Sequence, residues 1–157
     1  MRSDWSSFLS SFCAVFKKYK PELVINFAEE SHVDRSIINA YDFIRTNVEG
    51  VRSLMEAVRK FRTPRFLQVS TDEIYGPVPQ GYSPEDSPLR PSNPYAASKA
   101  AADFLVQSYI RTHRAPAVII RGSNNFGPYQ YPEKLIPLAL TNMLEGRKVP
   151  IHGAGEH

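Results

Sequence analysis

Two carboxylic acids, Asp72 and Glu73, stand side by side directly after two hydroxyls, Ser70 and Thr71. They follow the apolar run 66–69, which reads as a short buried strand, and precede a turn at Gly76-Pro77. In a parallel α/β sheet the carboxyl end of a strand is where ligands sit. Neighbouring acids there can be held at different pKa values, one as acid and one as base. The other reading makes both of them loop-surface charges, with Asp72 capping a turn. Further on, Tyr95 and Lys99 are four residues apart, one helical turn on one face. An ammonium beside a phenol favours the phenolate and lowers a pKa that is ordinarily about 10, which makes tyrosine a usable base. Alone, the spacing is weak, because a tyrosine packed at a helix start gives the same pattern. After a Ser-Thr-Asp-Glu strand end it gains weight.

The periodicity supplies the elements that must position these residues. Trp5, Phe8, Leu9, Phe12, Val15 and Phe16 form the stripe of an amphipathic helix, which Ser3 or Asp4 can cap and Pro21 stops. Residues 23–28 read as a short apolar strand, followed by a polar cluster at 29–36. A long helix is expected over 41–60, the next strand over 65–69, a long loop over 76–94 and a helix over 95–113. A third strand follows at 117–120, then a polar and aromatic loop at 123–131, a helix over 134–145 closed by Gly146, and an extended piece at 149–151. Alternation of strand and helix is the pattern of a parallel sheet with right-handed crossovers. The strands are continuously apolar, as strands covered on both faces are. This predicts an α/β fold, a partial Rossmann-type, doubly wound parallel sheet, with the polar clusters gathered at one sheet edge as a single site.

Composition narrows the classes. The chain has 157 residues, 42% hydrophobic and 22% charged, with a net charge of +3. That charge is too small, and too scattered, to argue for nucleic acid. Cys13 is the only cysteine, which excludes an internal disulfide and a cysteine-rich metal site, so no metal is expected and a reducing, cytoplasmic setting fits. No apolar run approaches the ~20 residues of a membrane span. Asp4 and the serines that interrupt the first apolar stretch argue for a helix there, not an export signal.

Three longer motifs carry a resemblance. Residues 70–76 (Ser-Thr-Asp-Glu-Ile-Tyr-Gly), 93–99 (Asn-Pro-Tyr-Ala-Ala-Ser-Lys) and 123–137, from Ser-Asn-Asn-Phe-Gly-Pro to Glu-Lys-Leu-Ile-Pro, resemble the dTDP-glucose 4,6-dehydratase family of extended short-chain dehydrogenases/reductases. Residues 30–36 (Glu-Ser-His-Val-Asp-Arg-Ser) and 46–50 (Thr-Asn-Val-Glu-Gly) are similar to two further motifs of that family. The resemblance implies bound NAD and a sugar nucleotide, dTDP-glucose. Tyr95 would take the proton of the 4-hydroxyl as hydride leaves C4 for NAD, with Thr71 hydrogen-bonding that region and Lys99 holding the cofactor ribose. Glu73 would remove the acidified C5 hydrogen and Asp72 protonate the departing 6-hydroxyl, before hydride returns to C6. Elimination needs one base and one acid within reach of the same sugar. The resemblance further implies that Phe27, Ala28, Glu29, Glu30, Ser31, Thr46, Ser70 and Asn125 line the cofactor. Ser31, Thr71, Asn124, Lys134, Leu135, Pro150 and His152 would meet the sugar nucleotide. It implies a homodimer through the helices at 41–60 and 95–113.

Three departures stand out. Glu29 occupies a position where the family usually has alanine, so a carboxylate stands beside the nicotinamide path. His152 stands where the family usually has tyrosine. The family's Gly-rich strand-to-helix turn, which holds the NAD pyrophosphate, has no counterpart among the glycines at 50, 76, 81, 122, 127, 146, 153 and 155. On this reading residues 1–157 form a partial NAD-binding domain with the start of the substrate region from about 123, and the chain alone is expected to bind NAD weakly or not at all. The strand at 23–28 would be left as an open edge. Two alternatives remain: a related NAD-dependent sugar-nucleotide epimerase or decarboxylase, which Asp72-Glu73 argues against, and a non-catalytic remnant serving as a dimerisation module, which the missing turn and Glu29 favour.

Overall fold

The computed structural model describes residues 5–78 and 80–149. It divides into two units, one running to Ser123 and one from Asn124 onward. The first unit holds a three-stranded parallel sheet in the order β1 (Val24–Asn26), β2 (Phe66–Thr71), β3 (Ala117–Gly122). This is the parallel α/β architecture that the strand-helix alternation predicts.

Four helical segments accompany the sheet. α1 (Trp5–Tyr19) precedes β1, and α2 (Val33–Ile38) follows it. The expected helix over 41–60 is a composite: a short α turn at Tyr41–Phe43, a π-helical turn at Ile44–Glu49, and α3 (Gly50–Phe61). α4 (Pro94–His113) joins β2 to β3. Asn93 starts α4 by accepting a hydrogen bond from the Ala96 amide at 2.8 Å, and Pro94 occupies the first turn, where its missing N–H costs nothing.

The core lies between α1, α3, α4 and one face of the sheet. Phe16, Val51, Leu54, Met55, Val58, Phe66, Ala102 and Val106 form it. The register puts Val24, Phe66 and Ala117 in one row on this face and Asn26, Gln68 and Ile119 in the next. Asn26 and Gln68 are both buried and satisfy each other across the strands, Asn26 Nδ2 donating to Gln68 Oε1 at 2.9 Å.

The opposite face corrects the expectation of strands covered on both sides. Ile25, Val118 and Ile120 are 45%, 60% and 44% exposed, and Phe27 is 70% exposed. β1 is also shorter than 23–28. Asn26 Oδ1 accepts from the Ala28 amide at 3.2 Å, an Asx turn that ends the strand and leads the chain off the sheet edge.

Three turns lead from a helix into a strand, and each contains a basic residue in the left-handed region: Lys20 (φ 46°), Arg62 (φ 52°) and Arg114 (φ 52°). On the far side of β2, Gly76 has φ 78°, and a Cβ there would stand 2.3 Å from the Arg90 carbonyl oxygen, so only glycine fits. The long loop that begins here is anchored by Arg121 of β3. Its guanidinium donates to the Tyr75 hydroxyl (2.6 Å), the Glu85 carbonyl (2.9 Å) and the buried Asp103 carboxylate (2.9 Å).

The second unit, described by itself, contains α5 (Leu135–Leu144). Asn142 anchors its end, donating from Nδ2 to the Lys148 carbonyl at 3.1 Å. The expected extended piece at 149–151 lies outside the described residues beyond Val149, as do Pro150 and His152.

Candidate active site

β2 runs two residues further than 66–69, so Ser70 and Thr71 are its last residues and both are buried. Thr71 then caps a 3-10 turn, Asp72–Tyr75, its hydroxyl accepting from the Glu73 amide at 3.3 Å. This turn swings the two acids into different surroundings. Asp72 is exposed. Glu73 is half-buried, and its carboxylate accepts from Asn93 Nδ2 at 3.2 Å.

α4 enters beside them. Asn93 therefore caps the helix with one side-chain atom and holds Glu73 with another. Tyr95 is buried, and its backbone amide donates to the Ser36 hydroxyl at 3.1 Å, which ties α4 to α2. The Tyr95 side chain is hydrogen-bonded to Thr71, and Glu29, Glu73 and Asp72 all act on it electrostatically. Thr71, Asp72, Glu73 and Tyr95 thus come together at the carboxyl end of β2.

Lys99 is where the sequence spacing puts it, but its role toward Tyr95 needs correction. The expected lowering of the phenol pKa does not occur. Burial pushes it well above its ordinary value and the carboxylate of Glu29 adds to the shift; the hydrogen bond to Thr71 opposes them only in part. Lys99 has a partner of its own. Its ammonium, 2% exposed with its residue, donates to Glu29 Oε2 at 2.5 Å and to the Val69 carbonyl at 2.8 Å.

The segment after β1 is held by residues that sequence patterning passed over. Asn47, 2% exposed in the π-helical turn, accepts from the Glu30 amide and donates to the Glu30 carbonyl, both at 2.9 Å, and donates to the Ser98 hydroxyl at 2.9 Å. One buried amide thus fixes residue 30 to the residue before Lys99. Ser36, Asn47, Asn93 and Ser98 lie inside the motifs at 30–36, 46–50 and 93–99 without a role of their own there; a polar residue inside or beside apolar periodicity is the further signal that marks them and Arg121. Of the other expected site residues in this unit, Ser31 and Thr46 are half-buried, and Phe27 and Ala28 are exposed past the strand end. Asn124, Asn125, Lys134 and Leu135 belong to the second unit, where Lys134 is the N-cap residue of α5 and Leu135 its exposed first residue. A cavity of about 340 Å³ lies beside Glu30, lined with it by Arg35, Ile38, Asn39, Asp42 and Phe43; Tyr95 and Lys99 take no part in its wall.

Comparison with known proteins gives relatives for this arrangement. A dTDP-glucose 4,6-dehydratase of Streptomyces niveus is 50% identical over 136 residues, 87% of this chain and 40% of that protein. A crystal structure of a dTDP-glucose 4,6-dehydratase double mutant from Streptomyces venezuelae, with NAD and a second ligand bound, superposes with a TM-score of 0.90 at 42% identity, covering 94% of this chain and 45% of that one. A UDP-glucuronic acid 4-epimerase from Bacillus cereus shares the fold at a TM-score of 0.87 and 24% identity. The chain spans less than half the length of the dehydratases it matches. The family described as GDP-mannose 4,6 dehydratase matches residues 9–157, nearly the whole sequence, and this chain belongs to that family.

Proposed function

We propose that this chain carries the catalytic face of an NAD-dependent sugar-nucleotide 4,6-dehydratase acting on dTDP-glucose. The observation that carries the reading is the convergence of Thr71, Asp72 and Glu73 on the Tyr95 side chain at one strand end. A phenol hydrogen-bonded to a threonine hydroxyl can pass a proton to and from a sugar hydroxyl seated between them. The half-buried Glu73, oriented by Asn93, suits a base for the C5 hydrogen. Asp72, exposed beside it, is the proposed acid that releases the 6-hydroxyl as water.

Lys99, Tyr95 and Thr71 carry the donor types that the diol and carboxamide of the nicotinamide-ribose half of NAD accept, although Lys99 spends two of its three donors on Glu29 and Val69. The pyrophosphate half has no matching cradle among the described residues: the glycines with positive φ are Gly76, Gly81 and Gly146, none in a strand-to-helix turn. When bound, NAD supplies a hydride acceptor at C4 and returns the hydride at C6. The residues of this chain hold the sugar, move its protons and keep the two acids apart. Ser31, Asn124, Asn125, Lys134 and Leu135, together with Pro150 and His152, are proposed contacts of the cofactor and sugar nucleotide.

The test is incubation of the chain with NAD and dTDP-glucose, with mass spectrometry for the loss of one water. At NAD concentrations high enough to load the chain product is expected, and Glu73→Gln should lower its rate ~10²- to 10⁴-fold. Product that keeps its water but inverts at C4 would favour an epimerase. A folded chain with no product favours the second reading, a non-catalytic dimerisation module, to which the Glu29–Lys99 pair lends support. Dimerisation itself is proposed through the composite helix over 41–60 and α4. The exposed residues Ala97, Ala101, Phe104, Ser108 and Arg111 recur at helical spacing along α4, and Phe104→Glu should shift a dimer to monomer in light scattering.

A further inference from the structure

We propose that Glu29 is a built-in competitor for Lys99, holding the ammonium that a ribose diol must reach and keeping the cofactor off this chain. The inference rests on the dehydratase reading for the identity of the ligand, and on the structure for the competition.

An ammonium has three N–H donors. Lys99 gives one to the Val69 carbonyl, an acceptor fixed in the main chain of β2, and one to Glu29. Any diol that takes up two donors must therefore displace the carboxylate. Displacement is made costly by burial: the Lys99 side chain is 3% exposed, and a buried cation stripped of its counter-charge is penalised unless the replacement matches it. Neutral hydroxyls do not.

The main chain on both sides of Glu29 is also held. Both of its neighbours are pinned by buried amides. The Ala28 amide donates to Asn26, and the amide and carbonyl of Glu30 are clamped by Asn47. The backbone that carries Glu29 is thereby held over the end of β2, with the carboxylate pre-positioned on the ammonium. The other carboxylates of the cluster do not substitute for it: Glu73 is engaged by Asn93, and Asp72 meets the Thr71 hydroxyl at 3.5 Å. The pair thus occupies the side chain of the cluster that could bind a ribose with positive charge.

The full chain and its variants would be titrated calorimetrically with NAD and with nicotinamide mononucleotide, which carries the ribose in question without the adenosine half. Glu29→Ala should bind each probe at least ~10-fold tighter than the parent. Glu29→Gln, which keeps the shape and can still accept one hydrogen bond, should show a smaller gain, and it carries the test should the alanine variant not fold. The gain should vanish in Glu29→Ala/Lys99→Met, a coupling that a merely structural role for Glu29 would not produce. Unchanged or weaker binding on removal of Glu29 overturns the proposal, as does a gain that survives the loss of Lys99. None of these readouts depends on product formation, so failure here is distinct from failure of the dehydratase reading.

Discussion

Two buried tyrosines show how partners decide what a phenol can do. Tyr95 is surrounded by carboxylates at the strand end, whereas Tyr109 donates to Glu56 at 2.5 Å on the core side of α4. Burial, then the bond to Glu56, pushes Tyr109 up to about 12. The neutral phenol is thus favoured in the folded chain. The stability this gives is complete below about pH 10 and is lost as pH rises towards 12. Denaturant unfolding measured across that window should show the parent losing about 1 to 2 kcal/mol more than Tyr109→Phe. Spacing alone revealed Tyr95, Lys99, Asp72 and Glu73, because each belongs to a short motif. It could not reveal that Lys99 answers to Glu29, seventy positions earlier in the chain, since an ion pair between distant segments leaves no local period.

Among the elements, the start of α4 does two jobs with one residue. Asn93→Ala removes the cap and releases Glu73. The first should cost ~1 kcal/mol in thermal or chemical unfolding. The second should slow any dehydration more than the stability loss accounts for, read as a drop in kcat at temperatures where the variant is fully folded. The strands and long helices were legible from apolar runs and 3.6-residue periodicity, with ends misplaced by one or two residues. The interruption at Ile44–Glu49 was not. No glycine or proline marks the π-helical turn, and what betrays it is Asn47 turned into the interior to meet Glu30 and Ser98.

For the whole molecule, the half-covered sheet is the dominant fact. Ile25, Val118 and Ile120 present an apolar surface that continuous apolar strands suggested would be covered. The chain should therefore bind an apolar fluorescent dye and self-associate as concentration rises, and Val118→Thr with Ile120→Thr should reduce both without lowering the melting temperature by more than a few degrees. The sequence pattern could not distinguish a face already covered from one that is merely apolar, because periodicity reports the preference of the strand and not the presence of a neighbour. The left-handed turns at Lys20, Arg62 and Arg114 carry a different consequence. All three enter parallel strands, so they share one edge of the sheet, joined there by Lys17, Lys18 and Arg65; Glu29, Glu30, Asp72 and Glu73 lie past the opposite ends. Six basic side chains thus gather at one rim of the first unit's sheet, beside the acid Glu22. On an anionic support the first unit should therefore settle by that rim.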